Sequence, residues 1–398
     1  MRIGIDATCW WSRRGFGRFT RGLLTAMFDE PRGHRFCLFI DRAPEPEMLH
    51  PHVDIVRVSP SRPVTEAAVA SGSRSPADLW AFTRAASRAP MDVMFYPAVY
   101  SWFPLRPGIP VVVTLHDAIA EHFPELIFPG RKGRMMWNLK MRLARWQATR
   151  IMTVSQAAKQ EIVEHLGIRA SRIDVVSEAA DPRFHYIADA AVRTAARQHA
   201  NLPAQGRFII YVGGLAPHKN ILGLVNGFAG ALALSANRGG GLDDLHLALV
   251  GDPKGDGFHS NYEQICAMTA ADPLLQGRVH FTGYVSDEDL VALYSDALAA
   301  TMPSFSEGFG LPAVEAMACG IPVLASRAAS LPEVVGDAGL YFDPHQPAQI
   351  AEAIHRIATE TETLAALQQK ARARAAQFTW ANAARLAFEH IERAAGAA

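Results

Sequence analysis

One stretch, residues 298–325, constrains the fold of this chain more than any other. The apolar run 298–302 predicts a buried strand, and a loop rich in Ser, Pro and Gly follows it. A helix is predicted to begin near Pro312, because proline is tolerated in a first helical turn, and to end at Gly320, a residue type common after helices. A second apolar run begins after Pro322. Strand, glycine loop, helix and strand in this order indicate an α/β unit.

The start of this helix is a predicted anion site. Backbone N–H groups at the positive end of a helix dipole bind phosphate, and glycines allow the phosphate to approach closely. The residues that supply these groups are Gly308, Phe309, Gly310 and Leu311.

Two carboxylates flank the anion site, Glu307 before the helix and Glu315 within its first turns. At about 100° per residue, this spacing brings Glu315 to within roughly 80° of the direction of Glu307, so both can face one ligand. Carboxylates beside a phosphate are suited to binding sugar hydroxyls. The alternative is a helix-capping Glu307 with a solvent-exposed Glu315, because helix starts favour acids.

Composition narrows the class of protein. The 398 residues, 49% of them hydrophobic, indicate two globular domains of ordinary size. Lys plus Arg equals Asp plus Glu at 39 each, which argues against a nucleic-acid-binding protein. The four cysteines lack Cys-x2-Cys spacing and indicate buried thiols rather than disulfides or a zinc site. Since we find neither a signal peptide nor an apolar window of ~18 residues, we expect a cytoplasmic protein.

A histidine follows the most apolar strand of the first half of the chain. Residues 110–115 are almost uniformly apolar, as is typical of the buried centre of a parallel sheet. His116 and Asp117 come next, at the carboxyl end, where open α/β sheets bind ligands. His116 is therefore either a ligand-binding side chain or a buried structural histidine.

Two further glycine turns follow predicted strands. Lys219 stands after the strand 208–212 and a glycine turn, at the start of a helix, where it can neutralise a diphosphate. A solvent-exposed Lys219 is the alternative. Gly15 and Gly17 stand between the first strand and a helix, but Thr20 replaces the third glycine of a dinucleotide fingerprint, so a dehydrogenase is not supported.

Residues 131–150 carry seven basic side chains and no acid. The apolar side chains that share one face of the predicted helix are Met136, Leu139, Leu143 and Trp146. A basic amphipathic helix can lie on anionic lipid, so residues 131–146 are a candidate contact with the inner leaflet of a membrane. In the alternative, the apolar face belongs to the core, and the two interpretations are not exclusive.

These motifs together resemble the retaining glycosyltransferases of family 4, and the resemblance covers nearly the whole chain. It implies the GT-B fold, an α/β architecture of two Rossmann-like domains with parallel sheets that face each other across a cleft. The N-terminal, acceptor-binding domain is expected over residues 1–190, and the nucleotide-sugar-binding domain over residues 200–375. The last helix, residues 378–395, is expected to pack back on the first domain.

The resemblance implies transfer of a hexose from a nucleotide sugar to a hydroxyl. The expected catalytic residues are His116, near the reacting carbon of the donor sugar, and Glu307, on the sugar ring. Because no nucleophile is evident beside His116, same-face substitution is favoured over a covalent glycosyl-enzyme. The acids at Asp287 and Asp289 are interpreted as the start of a helix rather than as an Asp-x-Asp metal motif, so we expect neither a metal ion nor another cofactor.

The resemblance also assigns the donor-binding positions. Lys219 would hold the diphosphate together with the amides of residues 308–311, and Glu315 would hold ribose hydroxyls. A glycine-bearing loop at Gly15 and Gly17 would lie over the donor diphosphate, and the backbone at Val285 would contact the nucleotide base.

The sequence departs from the family pattern at three places. Gly214 stands where the family commonly has an Arg, so we expect either another base or a tighter reliance on Lys219. Of a turn that usually reads Asn-Gly-Val-Asp only Asp181 is kept, and Ser330 replaces a frequent glycine.

The sequence carries little information about the donor and the acceptor. Residues 330–339 are most similar to mannosyltransferases of bacterial surface polysaccharide synthesis, so GDP-mannose is the first expected donor and a UDP-hexose the second, with a glycan or lipid-linked saccharide as acceptor. Two other functions stay open. A nucleotide-binding protein that has lost catalysis would leave the donor intact, and a sugar-nucleotide isomerase or epimerase would change the donor without an acceptor.

Overall fold

The computed structural model describes residues 1–67, 74–128, 130–252 and 260–396. The chain divides into two compact units, Met1–Ala179 with Thr379–Ala398, and Ala180–Phe378. The division comes earlier than residue 190 because the segment after Ala179 packs in the second unit. Phe184 lies in its core, and the N–H of Ile187 donates to Ser295 Oγ at 2.9 Å.

The first unit is built on a seven-stranded parallel sheet in the order β3-β2-β1-β4-β5-β6-β7. Its strands are β1 (Arg2–Asp6), β2 (Arg35–Ile40), β3 (Val53–Arg57), β4 (Val93–Tyr96), β5 (Val111–Thr114), β6 (Arg150–Thr153) and β7 (Ile173–Val175). Every residue of β4 and β5 is buried, as expected for central strands covered by helices on both faces.

The helices of the first unit connect its strands. They are α1 (Gly15–Asp29), α2 (Val64–Ala67), α3 (Pro76–Arg88), α4 (Ile119–His122), α5 (Pro124–Ile127), α6 (Arg131–Gln147) and α7 (Gln156–Leu166). Short 3₁₀ turns lie at Thr8–Trp11, Pro46–Met48, Val99–Ser101 and Ala170–Arg172.

The C-terminal helix, Trp380–Gly396, also packs in the first unit. Trp380 lies directly on Gly22 of α1, where an added Cβ would come within 2.2 Å of the indole ring. Asp174 in β7 accepts hydrogen bonds from Arg393, at 3.0 Å, and from Arg150. This cluster of charges connects the C-terminal helix to the sheet.

Helix α6 buries a different face from the apolar one seen in the sequence. Met141 and Ala144 face the core of the first unit. The exposed fractions of the predicted apolar face are 45% for Met136, 51% for Leu139, 42% for Leu143 and 80% for Trp146. That face therefore lies in solvent, and the interpretation that it belongs to the core is wrong. No helix in the described parts of the chain is long and apolar enough to cross a membrane.

The second unit is built on a six-stranded parallel sheet in the order β10-β9-β8-β11-β12-β13. Its strands are β8 (Arg207–Val212), β9 (Leu245–Val250), β10 (Val279–Gly283), β11 (Ala299–Met302), β12 (Val323–Ser326) and β13 (Gly339–Phe342). Its helices are α8 (Ala190–His199), α9 (Ile221–Asn237), α10 (Tyr262–Ala271), α11 (Asp287–Asp296), α12 (Leu311–Ala318), α13 (Leu331–Val335), α14 (Pro347–Thr359) and α15 (Thr361–Ala375). The predicted strand, helix and strand of residues 298–325 are confirmed as β11, α12 and β12.

Candidate active site

Two loops of the second unit bring Lys219 and Glu307 together. Strands β8 and β11 are neighbours, so the loops at their carboxyl ends lie side by side. The Lys219 ammonium lies 2.8 Å from Oε1 and 2.7 Å from Oε2 of Glu307. The N–H of Phe305 also donates to the carbonyl oxygen of His218 at 2.9 Å. The backbone thus holds the two loops in register beside the ion pair.

Glu307 is a buried carboxylate held in its ionised form. Its Oε1 accepts a hydrogen bond from the Ser304 hydroxyl at 2.6 Å. Burial raises the pKa of Glu307, but the charge and hydrogen bonds of Lys219, with the Ser304 hydroxyl, lower the pKa below its usual value overall. The Glu307 side chain is 9% exposed and that of Lys219 is 24% exposed, so solvent reaches the pair from the lysine.

His218 adds a neutral imidazole beside this pair. Burial, together with the charge of Lys219, lowers the pKa of His218 to about 3. Its Nδ1 has no hydrogen-bond partner within the described residues. The sequence analysis did not single out this residue, because a histidine in a turn carries no signal of its own.

Serine hydroxyls fix the backbone around Glu307. The Ser330 hydroxyl lies 2.9 Å from the carbonyl oxygens of both Glu307 and Phe309 and donates to them as a shared bond. The Ser326 hydroxyl donates to the carbonyl oxygen of Ser304 at 2.6 Å. Ser330 therefore holds the loop that presents Glu307.

Asn220 anchors the start of α9 to two other loops. Its Nδ2 donates to the carbonyl oxygens of Pro303, at 3.1 Å, and Pro344, at 2.8 Å. The residue adopts a left-handed conformation with φ 55°. An added Cβ at Gly223 would lie 2.4 Å from Oδ1 of Asn220, so the glycine gives the amide its space.

The predicted anion site lies in the loop that leads into α12. Gly310 precedes the helix at φ 91°, a left-handed conformation that favours glycine. No side chain caps this end of the helix within the described residues. Phe309 and Leu311 are buried, and the Phe309 ring packs edge-on against Phe378 at 5.5 Å. Their side chains anchor the loop, which leaves only their backbone for a ligand.

The second unit also contains two other predicted donor-binding positions, Glu315 and Val285, and Gly214, the position at which an Arg was expected. Glu315 is buried in α12, and burial together with the Glu315 charge raises the pKa of the Cys319 thiol to about 12. The carbonyl oxygen of Gly214 accepts a hydrogen bond from the Tyr211 hydroxyl at 2.7 Å. Val285 follows β10, at the far edge of the sheet from β13, and packs partly in the core. Ligand contacts at these positions stay predictions.

His116 forms a separate group in the first unit, after β5. Its Nε2 lies 3.0 Å from the carbonyl oxygen of Pro97, and its Nδ1 lies 3.3 Å from Oε1 of Glu178. The Phe19 ring packs edge-on against the imidazole at 4.8 Å. Pro97 and Glu178 follow β4 and β7, so three strand ends converge on one imidazole. The sequence did not show that Glu178 belongs there.

Gly15 and Gly17 lie in the first turn of α1 rather than in a loop before it. An added Cβ at Gly17 would come within 2.0 Å of the carbonyl oxygen of Ser12, whereas one at Gly15 would meet no atom within 4 Å. Close packing on Ser12 is therefore a structural reason for Gly17. A donor contact at either glycine stays a prediction.

Among the described residues, no group of three or more His, Cys, Asp and Glu side chains could hold a metal ion.

Comparison with known proteins identifies both halves of the chain. Residues 14–184 match the family model described as "Glycosyltransferase Family 4", and residues 192–374 match "Glycosyl transferases group 1". The chain is 33% identical over 271 residues to O-antigen chain mannosyltransferase B of Escherichia coli, a match that covers 68% of this chain and 67% of that protein.

Two further similarities concern a larger relative and a solved structure. The chain is 33% identical over 248 residues to the serotype-specific mannosyltransferase WbdA of E. coli, which covers 62% of this chain but only 29% of WbdA. The structure of Anabaena HepE in complex with UDP-glucose superposes with a TM-score of 0.73 at 19% identity, over 98% of this chain and 99% of HepE.

The two units, each built on a parallel sheet with helices, have the GT-B fold. The chain belongs to the family 4 glycosyltransferases.

Proposed function

We propose that this chain transfers a hexose from a nucleotide sugar to a hydroxyl of a glycan or lipid-linked saccharide. Transfer proceeds with retention at the anomeric carbon and without a metal ion. The observation that carries the proposal is the Lys219–Glu307 pair at 2.7 Å beside the glycine loop of α12. One point of the sheet edge thereby offers a cation for a diphosphate and an ionised carboxylate for sugar hydroxyls.

The pair suits a ligand that carries both a diphosphate and a sugar. Such a donor separates the two charges, because its phosphates take Lys219 and its sugar hydroxyls take Glu307. Lys219 and the amides at the start of α12 then stabilise the negative charge that develops on the departing diphosphate. A nucleoside diphosphate without its sugar leaves Glu307 free to pair with Lys219 again, which favours release of the product.

Mannose is the proposed sugar, and GDP-mannose the proposed donor. The support is the mannosyltransferase activity in the names of WbdA and O-antigen chain mannosyltransferase B, each about a third identical in the aligned region. A UDP-hexose is the second candidate, because HepE, which shares the fold, binds UDP-glucose. The O-antigen chain in the name of mannosyltransferase B supports the synthesis of a bacterial surface polysaccharide as the proposed role.

The test is a screen of UDP-, GDP-, ADP- and dTDP-sugars for donor binding, slow hydrolysis and transfer to saccharide acceptors. Lys219→Met and Glu307→Gln should each abolish transfer. Lys370→Met, which breaks an exposed ion pair with Asp337 in the same unit, should leave transfer unchanged. Normal transfer by a folded Glu307→Gln variant would refute the proposal.

The same screen separates the other readings of the site. Binding of a nucleotide without hydrolysis or transfer indicates a nucleotide-binding protein, the alternative that Gly214 in place of Arg favours. Conversion of the donor without an acceptor indicates an epimerase. The anomeric configuration of the product, read by NMR, tests retention, and turnover after treatment with EDTA tests independence from metal ions.

We further propose that α6 lies on an anionic membrane surface. The apolar residues of its exposed face are Met136, Leu139, Leu143 and Trp146, and the exposed basic residues of the helix are Arg131, Lys132, Arg134 and Arg142. A basic side chain near an anionic lipid surface contributes about 1 kcal/mol, and the contribution falls with added salt. Apolar side chains beside these charges can enter the headgroup region.

The membrane proposal is tested with vesicles rich in phosphatidylglycerol and with vesicles of phosphatidylcholine alone. The protein should bind the first and not the second, and added salt should weaken binding. Trp146→Ser should reduce vesicle binding. Trp80→Ser, which removes a similarly exposed tryptophan from α3 in the same unit, should not. Equal losses in both variants would contradict a role for α6.

A further inference from the structure

A second buried carboxylate, Glu178, contacts the imidazole of His116. It follows β7, and its Oε1 lies 3.3 Å from Nδ1 of His116. The side chains of His116 and Glu178 are 10% and 6% exposed. This pair lies at the carboxyl edge of the sheet, where parallel α/β sheets bind their ligands.

The hydrogen bonds of His116 determine how many protons the pair holds. The Pro97 carbonyl oxygen can only accept, so Nε2 of His116 must carry a proton. An ionised Glu178 can also only accept, so a bond to Nδ1 needs a second proton, either on Nδ1 or on the Glu178 carboxyl. In both cases the pair holds one proton more than a neutral imidazole beside an ionised carboxylate. The net charge of the two side chains together is therefore zero.

Stability alone does not account for such a pair. The single N–H of a neutral buried imidazole is satisfied by one donated hydrogen bond, which Pro97 already accepts. Burying a carboxylate beside it costs desolvation that a buried ion pair recovers only in part. The first unit also has an ordinary histidine–glutamate pair, His34 with Glu392 at 2.9 Å, where the glutamate is 45% exposed. The buried pair lies at the functional edge of the sheet, whereas His34 precedes the opposite, amino end of β2.

We infer that Glu178 is a positioning residue of the transferase, which fixes the ring orientation and the doubly hydrogen-bonded state of His116. The inference rests on the proposed function and on the role that the family resemblance implies for His116, near the reacting carbon. Positive charge develops on that carbon in the transition state. A neutral His116–Glu178 pair holds the ring still without adding net charge there.

The test combines NMR and kinetics. Selective ¹⁵N-histidine labelling, with His116→Gln to assign the signal, reports the protonation of both His116 nitrogens in the ligand-free protein. Glu178→Gln should change the His116 spectrum, lower kcat about 10- to 100-fold and leave KM for the donor within about twofold, because a misplaced group near the reacting carbon costs rate rather than donor binding. Glu392→Gln, which removes the other histidine–glutamate pair, should leave the His116 spectrum and kcat unchanged.

Each outcome decides the inference. An unchanged His116 spectrum in Glu178→Gln overturns it, and so does a changed spectrum with an unchanged kcat. If Glu178→Gln does not fold, Glu178→Asp keeps the charge while shortening the side chain, and the same two readouts apply. Failure of the wild-type protein to transfer sugar would refute the proposed function instead, since the NMR result does not depend on turnover.

Discussion

Lys219→Met should destabilise the second unit more at neutral pH than in acid. The substitution keeps most of the aliphatic stem and removes the charge that faces the buried Glu307. Breaking a buried pair by removing one partner costs about 3–5 kcal/mol. Because the Lys219 side chain is 24% exposed and Ser304 still donates to Glu307, we expect a smaller value, about 2 kcal/mol at pH 7.

The dependence on pH follows from the lowered pKa of Glu307. An unfolded glutamate titrates near about 4.3. In the wild-type protein the folded pKa is lower, so the stability that Glu307 contributes is present above that pH and is lost as the pH falls through the folded pKa. In Lys219→Met burial dominates and the pKa rises above the unfolded value, so the carboxylate becomes a cost as the pH rises. The difference between the two proteins should shrink by roughly half or more at pH 4.

The assay must report on the second unit. All seven tryptophans lie in the first unit, so tryptophan fluorescence follows the wrong part of the chain. Hydrogen exchange of peptides covering β8 and α12 is suitable, and about 2 kcal/mol corresponds to roughly 30-fold faster exchange. Lys370→Met is the control, because an exposed pair is worth about 0–1 kcal/mol.

Two results would refute the reasoning. One is equal destabilisation by Lys219→Met at pH 7 and pH 4. The other is a loss no larger than that of Lys370→Met. The double variant Lys219→Met with Glu307→Gln should recover most of the stability, because a buried amide does not need a cation.

Three substitutions test the loops around the pair. Ser330→Ala removes the hydroxyl that donates to two carbonyl oxygens, and it should lower the free energy of unfolding by about 1–2 kcal/mol, measured by hydrogen exchange. It should also lower kcat/KM for the donor, and unchanged turnover would contradict a positioning role for Ser330. Gly223→Ala should destabilise by about 1 kcal/mol, although alanine favours helices, because the methyl group displaces Asn220; a more stable protein would show that the amide is dispensable. Gly310→Ala should lower the free energy of unfolding by about 1–2 kcal/mol, because alanine is strained at the positive φ of this position. Gly214→Ala is the control and should lower it less, because an added Cβ there has no atom within 4 Å.

Local sequence patterns predicted the fold, because a parallel α/β unit repeats the same order of an apolar strand, a glycine loop and an amphipathic helix. The strand, glycine loop and helix of residues 298–325 are each encoded within a few residues, and they appear as β11, α12 and β12. Lys219 and Glu307 were each recognised after a predicted strand, but only the family resemblance assigned both to one donor site. The sequence did not predict that they pair directly, because strand order was not in the sequence pattern.

The residues that hold the site in place were not predictable in this way. Ser330 contacts backbone more than twenty residues earlier, and Glu178 contacts a histidine 62 residues earlier. Asn220 joins loops that follow β11 and β13. Such contacts depend on which strand ends are neighbours, and no local spacing encodes that order. A polar residue buried after a strand is the only signal, and it does not identify the partner.

The hydrophobic pattern of helix α6 did not predict which of its faces is buried. Its sequence contains two apolar faces, one with Met141 and Ala144 and another with Leu139 and Trp146. Periodicity detects both, but only packing against the sheet decides which is buried. The face with Met141 and Ala144 packs in the core of the first unit, and the face with Leu139 and Trp146 lies in solvent. Exposing large apolar side chains to water is unfavourable. The orientation of α6, which leaves these apolar side chains in solvent beside basic ones, is the observation that supports the proposed membrane contact.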